Sequence, residues 1–226
     1  MTYVPTESLN VTWAARNDAW RNINPARRED VTNVPRHFRG LLLRDLPHDE
    51  TGAVVRRWCR RWVRGGFRPL DDDDLRGKGL LITGKPGLGK TRVACIAAQH
   101  VSDVGVSTKF VQAKDYYDLA LQVFSAKDPD RREQLEGAFE CFEAGWSGWR
   151  LVVLDDLGKE YKTTSGFSEN KMDGLIRSRY YDGAPTIVTS NLTLDEITES
   201  YGPSMGSFVH EAFWLVPMKG KDRRGN

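Results

Sequence analysis

The sequence GLLITGKPGLGKT, which occupies residues 79 to 91, decides the fold of this chain. Its first part, Gly79 to Thr83, is apolar, and its second part, Gly84 to Thr91, matches the pattern GxxxxGK[ST] in full. Glycines let the backbone curl so that its amides point inward at a phosphate, and a following helix adds unpaired N–H donors and a favourable dipole. The stretch therefore predicts a strand, a phosphate-binding loop and a helix, in that order.

The polar residues of this loop have predicted tasks in binding a nucleotide. We expect Lys90 to reach the β and γ phosphates and the Thr91 hydroxyl to coordinate Mg²⁺. The residues predicted to contact the nucleotide are Gly84, Pro86, Gly87, Leu88, Gly89, Lys90, Thr91 and Arg92.

A second apolar run, LVVL at residues 151 to 154, is followed directly by Asp155 and Asp156. A strand buried on both faces has this composition, and its carboxyl end is where ligands bind in open α/β sheets. Because Mg²⁺ needs a carboxylate outside its water shell, we assign Asp155 to the metal. Asp156 is the candidate to orient or polarise an attacking water, and a helix or turn cap is its alternative role.

A third polar element, Ser190-Asn191, follows the apolar run PTIVT at residues 185 to 189. If that run is a strand of the same sheet, Asn191 lies at the same edge as Asp155. Asn191 could then hydrogen-bond the attacking water or the γ phosphate, although asparagine after a strand is also a common turn former.

Short apolar runs alternate with helical periodicity after Lys78, which is typical of βαβ units. The predicted strands are Gly79 to Thr83, Ser107 to Gln112, Arg150 to Leu154, Pro185 to Thr189 and Phe213 to Pro217. The predicted helices are Ala53 to Arg64, Lys90 to Ser102, Lys114 to Phe124, Arg131 to Ala144 and Glu169 to Tyr181. The sequence therefore predicts an α/β fold with a five-stranded parallel sheet between helices.

Composition excludes several other classes of protein. The 226 residues suit one domain with a short appendage, and no stretch resembles a signal peptide or is apolar enough to cross a membrane. The three cysteines form no CxxC and the four histidines are scattered, which disfavours a disulfide scaffold and a zinc site and favours a cytoplasmic protein. We expect an N-terminal arm over residues 1–35 and a nucleotide-binding domain over 36–226, with its core from about residue 78.

Four motifs follow one another along the chain: the loop itself, LDDLG at 154–158, Arg179-Tyr180 and PTIVTSNL at 185–192. Taken in this order, they resemble the DnaC/DnaI-type helicase loaders of the AAA+ class. The resemblance runs from about Arg36 to the C-terminus and implies a RecA-like ASCE core with no separate lid domain. It also implies binding and hydrolysis of ATP, a hexameric replicative helicase as partner and contact with single-stranded DNA, and it leaves self-assembly open.

The IstB-type transposition helpers share much of this pattern, so a helper that regulates a transposase is the alternative function. A further alternative is an ATP-gated binding module with negligible hydrolysis.

The same resemblance assigns roles to single residues. Asn191 matches the sensor 1 position, and Arg224 resembles the sensor 2 arginine near the end of such proteins. Family members carry an arginine finger where this chain has Phe208, which predicts slow hydrolysis by the isolated protein. Arg177 and Arg179, on the helix before the fourth strand, are the candidate substitutes.

Two further features indicate interaction surfaces. The predicted helix from Ala53 to Arg64 has apolar residues on one face and arginines on the other, at positions 56, 57, 60, 61 and 64. These arginines, extended by Arg68, form either a solvated face or a site for phosphates or an acidic partner. Trp13 and Trp20 are costly to leave in water on a short arm, so they either dock on the helicase or fold back onto the domain.

Overall fold

The computed structural model describes residues 32–64, 77–143, 148–159 and 167–222. Within these ranges the helices are α1 (Glu50–Arg64), α2 (Lys90–Asp103), α3 (Ala113–Ser125), α4 (Pro129–Glu143), α5 (Phe167–Tyr181), α6 (Leu194–Tyr201) and α7 (Pro203–Ala212). The strands are β1 (Gly79–Thr83), β2 (Thr108–Gln112), β3 (Leu151–Leu157), β4 (Thr186–Ser190) and β5 (Phe213–Pro217). Two short 3₁₀ turns, Arg36–Phe38 and Leu43–Asp45, precede α1.

The strands form one parallel sheet in the order β2-β3-β4-β1-β5. The predicted α/β fold and all five predicted strands are confirmed. Because β4 lies between β1 and β3, the strand that leads into the phosphate-binding loop does not touch the strand that ends in the two aspartates. The two strands are therefore separated by the width of one strand.

Both faces of the sheet are buried, and successive residues of β1 show how. Leu80 and Ile82 pack on one face in a core that includes residues of α1 and α2. Leu81 points to the other face, where it packs with residues of α3, α5 and α7. The near-continuous apolar composition of these strands follows from this double burial, since each successive side chain enters a core.

Helix α1 packs on the sheet through two fully buried tryptophans. Trp58 and Trp62 both donate their indole N–H to the backbone carbonyl of Lys78, at 3.0 and 3.2 Å. The predicted amphipathic helix is thus confirmed, although it begins at Glu50 rather than Ala53. Its apolar face is held at the residue that immediately precedes β1.

The structure differs from the sequence predictions in two regions. Strand β3 continues to Leu157, beyond the predicted end at Leu154, through a register irregularity against β4. Helices α6 and α7 were not predicted, although both have recognisable start signals. Thr193 and Glu196 form a capping box at α6, and Pro203 occupies the first position of α7.

The proposed boundary between arm and domain remains a prediction, since residues 1–31 lie outside the described ranges. Trp13 and Trp20 lie in that part of the chain, and Arg68 and Arg224 fall in two other undescribed segments. Val34 is buried in the core next to the sheet, so the last residues assigned to the arm already contact the domain. No helix in the described ranges is long and apolar enough to span a membrane.

Arg179 lies at the centre of a buried polar network at the end of α5. Its guanidinium is fully buried and donates to the Thr186 hydroxyl and to four backbone carbonyls, those of Phe142, Trp149, Arg150 and Pro185. Burial lowers the pKa of this guanidinium. Arg179 therefore ties α5 to α4, to β4 and to the segment before β3, and its proposed role as a substitute arginine finger is wrong, because its side chain cannot reach another molecule.

We predict that Arg179→Ala destabilises the protein by about 3 to 5 kcal/mol, since it leaves several buried carbonyls without a donor and opens a cavity. Urea denaturation followed by circular dichroism measures the change. Arg60→Ala, which removes an exposed arginine from α1, is the matched control and should change stability by less than about 0.5 kcal/mol. Equal stability of the two variants would contradict this account of Arg179.

Candidate nucleotide site

The phosphate-binding loop joins β1 directly to α2, as the motif predicts. Gly87 and Gly89 adopt φ values of 83° and 89°, a left-handed conformation that L side chains rarely adopt. Gly89 is also the residue before the first turn of α2, where backbone N–H groups have no partner inside the helix. The loop thus presents its amides and the helix dipole to the same point, which suits a bound anion.

Lys90 is buried, and its ammonium group is held by the loop itself and by β4. Its Nζ donates to the carbonyls of Gly84 and Lys85 at 2.6 and 2.9 Å and to Oδ1 of Asn191 at 2.7 Å. A phosphate oxygen could replace either carbonyl, because both belong to the loop that would surround it. The Lys90 ammonium therefore already lies next to the position that a phosphate group would occupy.

Asp155 lies buried at the end of β3 between two hydroxyl groups. Oδ1 accepts a hydrogen bond from Thr189 Oγ1 at 2.7 Å, and Oδ2 accepts one from Thr91 Oγ1 at 3.3 Å. Burial raises the pKa of this carboxyl, and the two hydroxyl donors partly oppose the rise. The predicted pair Thr91 and Asp155 is thus in contact.

These oxygens fit a magnesium ion. A carboxylate beside a hydroxyl supplies the hard oxygen ligands that Mg²⁺ prefers, and nucleotide phosphates and water commonly complete its shell. The described residues contain no cluster of three or more His, Cys, Asp or Glu side chains arranged to hold a metal. The donor set therefore suits an ion that arrives with phosphate rather than one held by the protein alone.

Asp156 has a different environment from its neighbour. Its φ is 62°, and it lies where the β3–β4 register is irregular, so its side chain is re-aimed out of the regular alternation. Oδ1 accepts from Asn191 Nδ2 at 3.2 Å, and Oδ2 pairs with Lys159 at 2.8 Å. Backbone strain of this kind is found often at functional sites.

Asn191 joins the two halves of the site. Its side-chain oxygen accepts from Lys90 and its side-chain nitrogen donates to Asp156, so a continuous polar chain crosses from the loop to the end of β3. The structure thus brings together five of the predicted residues, which are Lys90, Thr91, Asp155, Asp156 and Asn191.

The other predicted site residues lie in different environments. Leu88 packs in the hydrophobic core, so only its backbone can face a phosphate. Pro86 and Arg92 are exposed at the loop and on the first turn of α2. Arg224 lies outside the described residues, and its predicted sensor role stays a prediction.

Sequence reasoning missed Thr189, which organises the acidic end of β3. Its hydroxyl is fully buried, donates to Asp155 and accepts the backbone N–H of Asp156 at 2.9 Å. The only signal in the sequence is its place on β4, two residues before Asn191.

Comparison with known proteins gives one family match and several structural relatives. The family model described as IstB-like ATP binding protein matches residues 75–207, which is more than half of the chain. An ATP-binding protein of insertion sequence IS5376 from Geobacillus stearothermophilus is 29% identical over 130 residues, which cover 58% of this chain and 47% of that protein. The chain thus aligns with less than half of this relative.

Two solved structures share the fold. The DnaC helicase loader aligns with a TM-score of 0.61 and 23% identity over 82% of this chain and 100% of that chain. DnaI aligns with a TM-score of 0.63 and 19% identity over 88% of this chain and 100% of that chain. The chain therefore shares the fold of these two proteins.

We predict that Lys90→Ala weakens ATP binding about 10- to 100-fold, because a charge-assisted contact to phosphate is lost. Binding of a fluorescent ATP analogue with and without Mg²⁺ measures this. Lys85→Ala removes an exposed lysine from the same loop and should bind like wild type. Unchanged affinity in Lys90→Ala would show that this loop is not the nucleotide site.

Proposed function

The chain belongs to the IstB-like ATP-binding protein family, and we propose that it is an ATP-dependent replication protein that loads a replicative helicase onto DNA. The ATP-dependent part of the proposal is carried by the polar chain Lys90–Asn191–Asp156, which links the phosphate-binding loop to the end of β3. The match to the helicase loader DnaC over the whole of that chain supports the choice of partner.

The site residues support binding and hydrolysis of ATP. Lys90 would exchange a loop carbonyl for a phosphate oxygen, and Thr91 with Asp155 would hold Mg²⁺, which would supply neutralisation of phosphate charge. Asp156 orients a water and accepts its proton, which requires that Lys159 release at least one carboxylate oxygen. Movement of Lys90 would break its hydrogen bond to Asn191, and Asn191 could pass this change on to Asp156 through its second hydrogen bond.

Hydrolysis by the isolated protein is proposed to be slow. Phe208 stands at the usual finger position and is buried, in edge-to-face contact with Tyr180. A missing transition-state arginine costs about 10³-fold or more in related phosphoryl transfers. Arg177 remains the candidate substitute, because its guanidinium lies 4.2 Å from the Phe208 ring centroid and its side chain is partly exposed.

The arm over residues 1–35 is proposed to dock on the hexameric helicase through Trp13 and Trp20. We predict that the protein captures the helicase in a pull-down and transfers it to single-stranded DNA when ATP is present. The double variant Trp13→Ala with Trp20→Ala should lose capture. Asp156→Asn should retain capture and lose turnover at least about tenfold.

The same pull-down decides between the proposals. Capture of the helicase by wild type and by the tryptophan variant alike would reject the arm as the docking element. Failure of the wild type to capture any replicative helicase would reject helicase loading.

A transposition helper is the second candidate function, and the family match together with the insertion-sequence relative favours it. Such a helper would use the same nucleotide site to regulate a transposase. Capture of the transposase instead of a helicase would select it. ATP binding without measurable turnover in the presence of partner and DNA would select the third candidate, the ATP-gated binding module.

We propose that DNA contacts a surface on α1 and β5, here called the arginine face and formed by Arg57, Arg60, Arg61, Arg64 and Trp214. Arg57 and Arg61 both lie over the Trp214 ring, 5.0 and 5.7 Å from its centroid. None of the described residues forms an ion pair with Arg57, Arg60 or Arg64. Arginines beside an aromatic ring suit a phosphate backbone with stackable bases.

Arg56, which the sequence analysis grouped with these arginines, is not part of the arginine face. Its guanidinium donates to the carbonyls of Pro47 and Leu43, at 3.0 and 3.5 Å, and so fixes the segment before α1. We therefore expect Arg56 to contribute to stability rather than to phosphate binding.

We predict that replacing Arg57, Arg60 and Arg64 together with alanine reduces the slope of log affinity for single-stranded DNA against log salt by about two, since each phosphate contact releases bound counterions. Fluorescence anisotropy at several salt concentrations measures the slope. Arg131→Ala with Arg132→Ala on α4 is the control and should keep the wild-type slope. An unchanged slope in the triple variant would show that the arginine face is solvated and does not contact DNA.

A further inference from the structure

After β5 the chain runs back across the phosphate-binding loop. The N–H of Met218 donates to the carbonyl of Thr83 at 2.7 Å, directly before the loop begins. The Met218 carbonyl lies so close to Gly84 that a Cβ there would approach its oxygen to 2.5 Å. A Cβ on Gly220 would lie 3.9 Å from the Leu88 side chain. Residues 218–222, here called the C-terminal strap, thus follow the loop from its first residue onward.

The strap places a carboxylate against the middle of the loop. A Cβ added to Gly87 would overlap the carboxylate carbon and an oxygen of Asp222, so this side chain is in contact with the Gly87 backbone. Gly87 is buried, whereas Asp222 is exposed on its other side. Two features therefore require glycine at position 87. One is the left-handed backbone conformation, and the other is the Asp222 carboxylate, which occupies the space of a Cβ.

A carboxylate at this position has a clear electrostatic meaning. The loop amides, the start of α2 and the Lys90 ammonium make a site for negative charge, and the Asp222 carboxylate is a negative group beside it. The phosphates of a nucleotide would bring further negative charge to the same loop, and like charges in close proximity disfavour each other. Docking of Asp222 and binding of phosphate therefore oppose each other.

We propose that Asp222 is an internal ligand of the phosphate-binding loop, which nucleotide phosphates displace, so that ATP binding releases the C-terminal strap. The inference rests on the proposed binding of ATP at this loop and adds a structural consequence of that binding, the release of the strap. Solvent on the exposed side of Asp222 screens the repulsion, so the expected effect on affinity is modest.

Two measurements test the proposal, with Asp222→Asn as the variant because it removes the charge and keeps the shape. Its affinity for ATP should rise about three- to tenfold over wild type, measured with the fluorescent analogue at low salt. Glu133→Gln removes one exposed negative charge from α4 and should bind like wild type. Affinity of Asp222→Asn that equals or falls below the wild-type value would overturn the displacement.

Hydrogen–deuterium exchange of the peptide that contains residues 218–222 provides the second measurement. In wild type, ATP should increase exchange of this peptide, and in Asp222→Asn exchange should already be higher without nucleotide. Equal exchange in the two proteins without nucleotide would show that Asp222 does not hold the strap. If wild type binds no ATP at all, the proposed nucleotide site fails, and the nucleotide-free comparison still decides whether Asp222 docks the strap.

Discussion

The hydroxyl of Thr189 is the contact on which the rest of the nucleotide site depends. It donates to the Asp155 carboxylate and accepts from the backbone of Asp156, so one small group holds two successive residues at the end of β3. Thr189 can reach both residues because β4 lies directly beside the acid-bearing β3, between it and the loop-bearing β1. Asn191, two residues further along the same chain segment, completes the link to Lys90. The middle strand therefore acts as the part of the sheet that couples phosphate binding to the acidic residues.

Much of this arrangement follows from sequence, because local rules decide it. A glycine-rich loop between an apolar run and a helix has few alternative structures, and parallel strands place their carboxyl ends at one edge, which brings Asn191 beside Asp156. Thr189 could not be predicted in the same way, since its role depends on the register between β3 and β4 and on an irregularity in that register. The position of the strap could not be predicted from sequence either, because its contact with Gly87 joins segments more than 130 residues apart.

Arg179 shows why residue type alone can mislead. An arginine on the helix before the fourth strand is compatible with a catalytic role, yet four of the five acceptors of Arg179 are main-chain carbonyls, which every residue possesses and no motif marks. Phe208 packs nearby, with the Arg177 guanidinium 4.2 Å from its ring centroid and Tyr180 in edge-to-face contact. The resemblance that located the nucleotide residues could not show this packing, because it depends on side chains from two helices, α5 and α7.

The two indole groups that share the Lys78 carbonyl have a spectroscopic consequence. Trp58 and Trp62 are fully buried, and their ring centroids lie 6.1 Å apart at the foot of the strand that carries the phosphate-binding loop. Indole emission shifts with the polarity of the surroundings, and this pair is enclosed in the core rather than in water. The emission of these two indoles therefore responds to changes in packing at the junction of α1 and β1.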